Sequence, residues 1–142
     1  NKELENCYPA FKAVKDYVVQ APEKTTGWYL PSIGQWYDFT ANLGGLPSWD
    51  DAINEGNDLT PNLYRWSNQT ELVSKINAYF EPLGTGNYDA IPNGSYQKFF
   101  SSSTYSDSGI WTWFVGKQAN VVQCWHNVRY NSDSAVRPIL AF

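Results

Sequence analysis

The hydrophobic period changes once along this chain, and that change restricts the fold more than any other feature. Up to about residue 83 the apolar residues recur every three or four positions, the spacing of helices with one buried face. From Tyr96 onward they alternate, the spacing of strands. The alternating part is centred on Phe99 to Trp113. There a strand arrives at Phe99-Phe100, a polar turn runs from Ser101 to Gly109, and a second strand leaves through Ile110 to Phe114. Helices first and an antiparallel meander afterwards is the order of an α+β domain.

Three helices are expected. Leu4, Cys7, Tyr8, Phe11, Val14 and Val18 make one stripe over residues 3–20, and Pro9 moves the start to about Tyr8 if it is the first helical residue. Ser32 followed by Gln35 is a capping box, and Gly44-Gly45 is the stop of a helix with Ile33, Trp36, Tyr37, Thr40 and Leu43 on its face. Asn68 followed by Glu71 reads as a second box, ahead of Leu72, Val73, Ile76, Tyr79, Phe80 and Leu83. Between them, 46–67 reads as a long irregular segment with a short capped turn at Ser48. Expected strands are 96–101, 110–115, 120–125 and 136–142, the last carrying Pro138 at an edge or bulge. Residues 126–134 read as a polar turn.

At 142 residues the chain is read as a single domain, 1–142. Net charge is −4 and the ten Lys and Arg are scattered, which excludes a basic nucleic-acid footprint. No apolar run approaches the ~20 residues of a membrane span, so membrane insertion is not expected. Residues 1–20 do not have the pattern of a signal peptide, and the start at Asn1 fits a mature protein or an excised fragment. Cys7 and Cys124 could form one long-range disulfide or remain two buried thiols. One histidine, His126, and no CxxC pair argue against zinc or haem. Asp50, Asp51, Glu55 and Asp58 lack the spacing of an EF-hand loop, and two of them sit where a helix N-terminus favours negative charge. No metal or cofactor is therefore expected. Serines are abundant, but none lies in a Gly-x-Ser-x-Gly elbow, and no pair of carboxylates is singled out, so an enzyme is the weakest reading.

Aromatic residues make up 17% of the chain, with seven Trp and ten Tyr, which exceeds what a core of this size requires. Trp49, Tyr64, Trp66, Trp125 and Tyr130 fall in or beside the irregular segments and are the candidate ligand-binding residues. Rings beside amides and carboxylates suit sugars and protein hot spots alike; equally, such rings cover a core. Arg137, in an otherwise apolar stretch, requires a carboxylate or carbonyl partner, because an unpaired buried charge is costly.

Three blocks resemble a known family. They are Gly27-Trp28-Tyr29-Leu30-Pro31-Ser32 running into Gln35; Phe99-Phe100-Ser101-Ser102-Ser103-Thr104-Tyr105 with Ile110-Trp111; and Ala135-Val136-Arg137-Pro138-Ile139-Leu140-Ala141-Phe142. Together they are similar to the Legionella collagen-like C-terminal domain family and the related Fibrobacter succinogenes major paralogous domain. Phe99-Phe100 stands where that family has Tyr-Trp, and Ile110 where Ala is frequent. The resemblance implies a C-type-lectin-like fold, with two to three helices around the meander. It also implies a non-catalytic adhesion module of Bacteroides-type surface proteins and lipoproteins, exposed outside the cell or on the outer membrane. Its partners would be a glycan or protein ligand and upstream domains of the same chain. A terminal structural domain without a ligand is the alternative. The calcium signatures of such lectins are incomplete: Leu83 in Glu81-Pro82-Leu83 cannot ligate, and Trp125-His126-Asn127 lacks the carboxylate.

Overall fold

The computed structural model describes residues 8–55, 63–86, 88–92, 96–116, 121–128 and 134–140, with backbone alone at 96, 116 and 126–128. Among the described residues it is an α+β protein with three helices and a five-stranded antiparallel sheet. The helices are α1 (Pro9–Lys15), α2 (Ile33–Gly44) and α3 (Leu72–Ala78). The strands are β1 (Ile53–Asn54), β2 (Tyr64–Trp66), β3 (Tyr96–Thr104), β4 (Gly109–Gly116) and β5 (Val121–Val128), in the sheet order β1-β2-β5-β4-β3.

The expected alternation sets the two faces. Phe99, Trp113, Val115, Val122 and Cys124 project to one side and meet Trp36 of α2 and Leu72, Val73 and Ile76 of α3. Phe100 and Ile110 project to the other side and meet Ala10 and Val14 of α1 and Leu30. Ser32 and Gln35 form the reciprocal capping box, with Gln35 N–H to Ser32 Oγ at 3.2 Å and Ser32 N–H to Gln35 Oε1 at 2.9 Å. Gly45 ends α2 in the left-handed conformation, φ +73°, where a side chain would be strained.

Gly44, one residue earlier, has a different role. A Cβ there would lie 2.7 Å from Leu72 Cγ and 3.2 Å from Ile76 Cγ1, so its lack of a side chain lets α2 and α3 approach. Helix propensity alone favours alanine at such a position by about 1 kcal/mol. Overpacking costs about 1–3 kcal/mol, and Leu72 is buried and cannot yield freely. Gly44→Ala is expected to lower stability by about 1 kcal/mol in urea unfolding; a raised midpoint would show that the helices separate without cost.

Several boundaries differ from the sequence reading. Pro9 is the first residue of α1, but the helix ends at Lys15 and leaves Val18 at 93% exposure. The chain turns away because Tyr17 packs edge-on against Trp28, 5.1 Å between centroids, and Trp28 Nε1–H donates to the Val19 carbonyl at 2.6 Å. The Asn68–Glu71 box does not form. Asn68 has φ +61°, Glu71 makes no capping bond, and one more turn precedes Leu72. The segment 46–67 is not wholly irregular: a 3-10 turn at Trp49–Asp51, capped by Ser48, leads to β1, and Tyr64–Trp66 is a strand between β1 and β5. Glu55 and Arg65 form an ion pair there at 2.5 Å. β5 runs on through His126 to Val128, because β4 begins at Gly109 and supplies a ladder partner that far. Residues 136–140 form no regular strand; two isolated bridges hold the segment, Tyr29 to Ile139 and Phe99 to Ala135. Cys7 lies outside the described residues, whereas Cys124 is a buried free thiol whose pKa is pushed up by desolvation, which suits it to packing and not to nucleophilic chemistry.

Candidate functional site

The residues nominated from sequence do not form one surface. Trp49 and Tyr64 are half-buried, and Trp66 is 2% exposed in β2, so the expectation that it sits on an open loop is corrected. Trp49 packs on Tyr37, Tyr64 and Trp66 at 5.1, 5.3 and 5.0 Å between centroids, and Trp66 Nε1–H donates to the Ser48 carbonyl at 3.0 Å. This cluster fastens the 3-10 turn to the sheet. Trp125 is half-buried on the opposite face of β5 against Phe114, 6.0 Å away. Tyr130 lies outside the described residues.

A different group of rings encloses a cavity. Its position follows from the convergence of the three sequence blocks. Ile33 N–H donates to Ser103 Oγ at 3.0 Å, Ser102 N–H to the Pro31 carbonyl at 2.8 Å, and Trp36 Nε1–H to the Phe100 carbonyl at 3.0 Å. Phe100 N–H donates to the Ala135 carbonyl, and Tyr29 and Ile139 exchange both backbone bonds. The serines of the hairpin thus tie the start of α2 to β3, and the last segment is laid beside both.

Against that segment opens a groove of about 500 Å³. One wall is a stack of three rings, Phe39 on Phe80 at 6.4 Å and Phe80 on Tyr88 at 5.9 Å. The Tyr17–Trp28 pair also lines it, with Leu83, Asp89, Val136, Arg137, Pro138, Ile139 and Leu140. Two residues beyond Asp89 the backbone is fixed by Asn77 on α3, whose side-chain amide donates to the Ile91 carbonyl at 2.8 Å and accepts from the Ile91 N–H at 2.9 Å. Arg137 stands in the groove. Its guanidinium donates to the Asp89 backbone carbonyl, which supplies one of the two kinds of partner its sequence context requires, and lies 5.9 Å over the Phe99 ring. Burial lowers its pKa from the ordinary arginine value, and the Asp89 carboxylate and Tyr17 oppose that shift. A second cavity of about 230 Å³, lined by Asp89, Pro92, Gln97, Phe99 and Ala135, shares Asp89, Val136 and Arg137 with the first.

Sequence reasoning missed this groove because its rings come from five separate segments. The signal present was Arg137 itself, a cation in an apolar run beside Pro138. Among the described residues no three or more His, Cys, Asp or Glu are grouped to hold a metal ion, and no helix is long and apolar enough to cross a membrane. Chemically, the arrangement offers apolar ring and aliphatic walls and one guanidinium.

No protein-family model, curated protein or solved structure matches the chain.

Proposed function

We propose that this chain is a non-catalytic binding module of a bacterial cell surface, with a C-type-lectin-like form of its α+β fold, recognising a ligand outside the cell. The fold assignment is supported by the meeting of the three blocks that carry the family resemblance. Residues 27–35, 99–105 and 135–140 are far apart in the chain, and direct backbone and side-chain hydrogen bonds join them. Residues that recur together in a family for structural reasons are expected to meet in this way.

The observation that carries the binding role is the aromatic groove with Arg137 in it. A cavity of about 500 Å³ falls within the size range of small-ligand sites, and an apolar lining with few convergent polar groups is their usual chemistry. The half-buried Trp49 and Tyr64 are tied into the core cluster, which makes the groove the stronger candidate of the two.

The test is a screen of the domain against a glycan array and a displayed-peptide library, with Leu83→Asp as the control. Leu83 is 55% exposed at the groove, so a carboxylate there spares the fold while charging the site. A hit whose affinity falls at least about tenfold in Leu83→Asp, with unchanged thermal stability, is the expected result. Absence of any ligand, or binding indifferent to Leu83→Asp, overturns the reading and favours a terminal structural domain.

A further inference from the structure

Resting on the binding role assigned to the groove, we propose that its ligand is the free C-terminal end of a peptide whose last residue is large and apolar. Arg137 would hold the terminal carboxylate, the larger cavity the last side chain, and the smaller cavity the peptide unit before it.

The lining decides the body of the ligand. Among the described residues the larger cavity is lined by rings and aliphatic side chains, with the Tyr17 and Tyr88 hydroxyls and the charged groups of Arg137 and Asp89 as its few polar groups. A sugar presents hydroxyls in every direction, and a hydroxyl held against hydrocarbon without a partner costs about 1–3 kcal/mol. A Phe, Trp or Leu side chain has no such cost in this groove and removes apolar surface from water on both sides.

Arg137 decides the charge. Among the described residues the ion pairs are Lys12 with Asp16, Glu55 with Arg65, and Glu71 with Lys75. None includes Arg137. Its guanidinium has five N–H donors. It donates to one backbone carbonyl and faces one ring, so donors remain for a ligand. A half-buried cation with spare donors is stabilised by an anion of matching shape, and a carboxylate fits the planar fork of a guanidinium with two parallel bonds.

The second cavity decides the source. Arg137 and Asp89 line both cavities, so a group bound at the guanidinium borders both. The smaller cavity is the more polar, with the Gln97 amide and the Asp89 carboxylate available to a peptide N–H or C=O. A fatty or aryl acid would occupy the larger cavity and leave the smaller one unused. A peptide C-terminus branches at its last α-carbon into a side chain, a carboxylate and a backbone amide, one group for the larger cavity, one for the guanidinium and one for the smaller cavity.

The test uses octapeptide libraries with randomised C-termini, one with free carboxylates and one amidated, screened against the whole chain. The free-acid library is expected to enrich Phe, Trp or Leu at the last position, and the best peptide to lose at least about tenfold in affinity on amidation. That comparison uses the unaltered protein and is independent of any folding defect. Arg137→Gln is expected to reproduce the loss and Arg137→Lys to recover part of it, since lysine keeps the charge without the fork. Equal enrichment in both libraries overturns the carboxylate assignment and leaves the groove standing. Competition by 3-phenylpropionate as strong as that of the peptide overturns the peptide assignment. A glycan hit that Leu83→Asp blocks, with neither library enriched, overturns this inference alone. No ligand in any screen overturns the binding role with it.

Discussion

Trp36→Ala is expected to cost about 3–5 kcal/mol of folding stability, among the largest effects of any single substitution in this chain. Trp36 is 2% exposed and lies where α2 crosses β3. Its ring stacks on Phe99 at 4.8 Å and meets Phe39 edge-on at 5.8 Å. Its indole N–H donates to the Phe100 carbonyl at 3.0 Å in a buried setting. The substitution therefore opens a cavity, removes two aromatic contacts and leaves a carbonyl short of one donor. Against a typical total of about 5–15 kcal/mol, that is about a fifth or more of the stability. The melting temperature should fall by on the order of 10 °C for a domain of this size. Trp36→Phe separates the contributions: it keeps most of the ring and loses the hydrogen bond, whose net value is about 0.5–1.5 kcal/mol before the smaller ring is counted. Urea unfolding followed by circular dichroism measures both. A loss below about 1.5 kcal/mol for the alanine variant would mean that α2 does not depend on this ring for its hold on the hairpin.

The elements that were legible in the sequence are those whose signal is local. Ser32 and Gln35 are three residues apart and form the capping box that spacing predicts, and Gly45 adopts the left-handed cap. The alternation of Trp111 and Trp113 against Ile110, Thr112 and Phe114 spans enough residues to show a period, and the strand follows it. β1 and β2 have two and three residues, too few to show any period, so a segment that pairs in the sheet read as irregular. Asn68 and Glu71 satisfy the box pattern, but the backbone at Asn68 is left-handed and the helix begins later. The groove was the least legible part. Tyr17, Trp28, Phe39, Phe80 and Tyr88 share no spacing, and only the docking of residues 135–140 beside β3 and Tyr29 brings their segments around Arg137. What the sequence did carry was the requirement that Arg137 find a partner, and the Asp89 carbonyl is one.

The same contrast makes Trp66 informative, because sequence and structure assign it opposite roles. As a ring on an exposed loop, its loss would leave stability unchanged and weaken a ligand. In the structure it is 2% exposed, with Trp49, Trp113 and Tyr37 at 5.0, 5.7 and 6.0 Å between centroids and its indole N–H on the Ser48 carbonyl. Trp66→Ala is therefore expected to cost about 3–5 kcal/mol and to leave ligand affinity at the groove unaltered wherever the variant remains folded. Its effect should also depend on Trp49. Trp49 reaches the sheet through Trp66, Tyr64 and Trp113, so removing Trp66 releases part of what Trp49 contributes. A double-mutant cycle of Trp49→Ala and Trp66→Ala should give a coupling of about 0.5–3 kcal/mol, with the double variant less destabilised than the sum of the singles. Strict additivity would mean that the 3-10 turn is held by something other than this cluster. A stable Trp66→Ala variant with weakened binding would return Trp66 to the ligand.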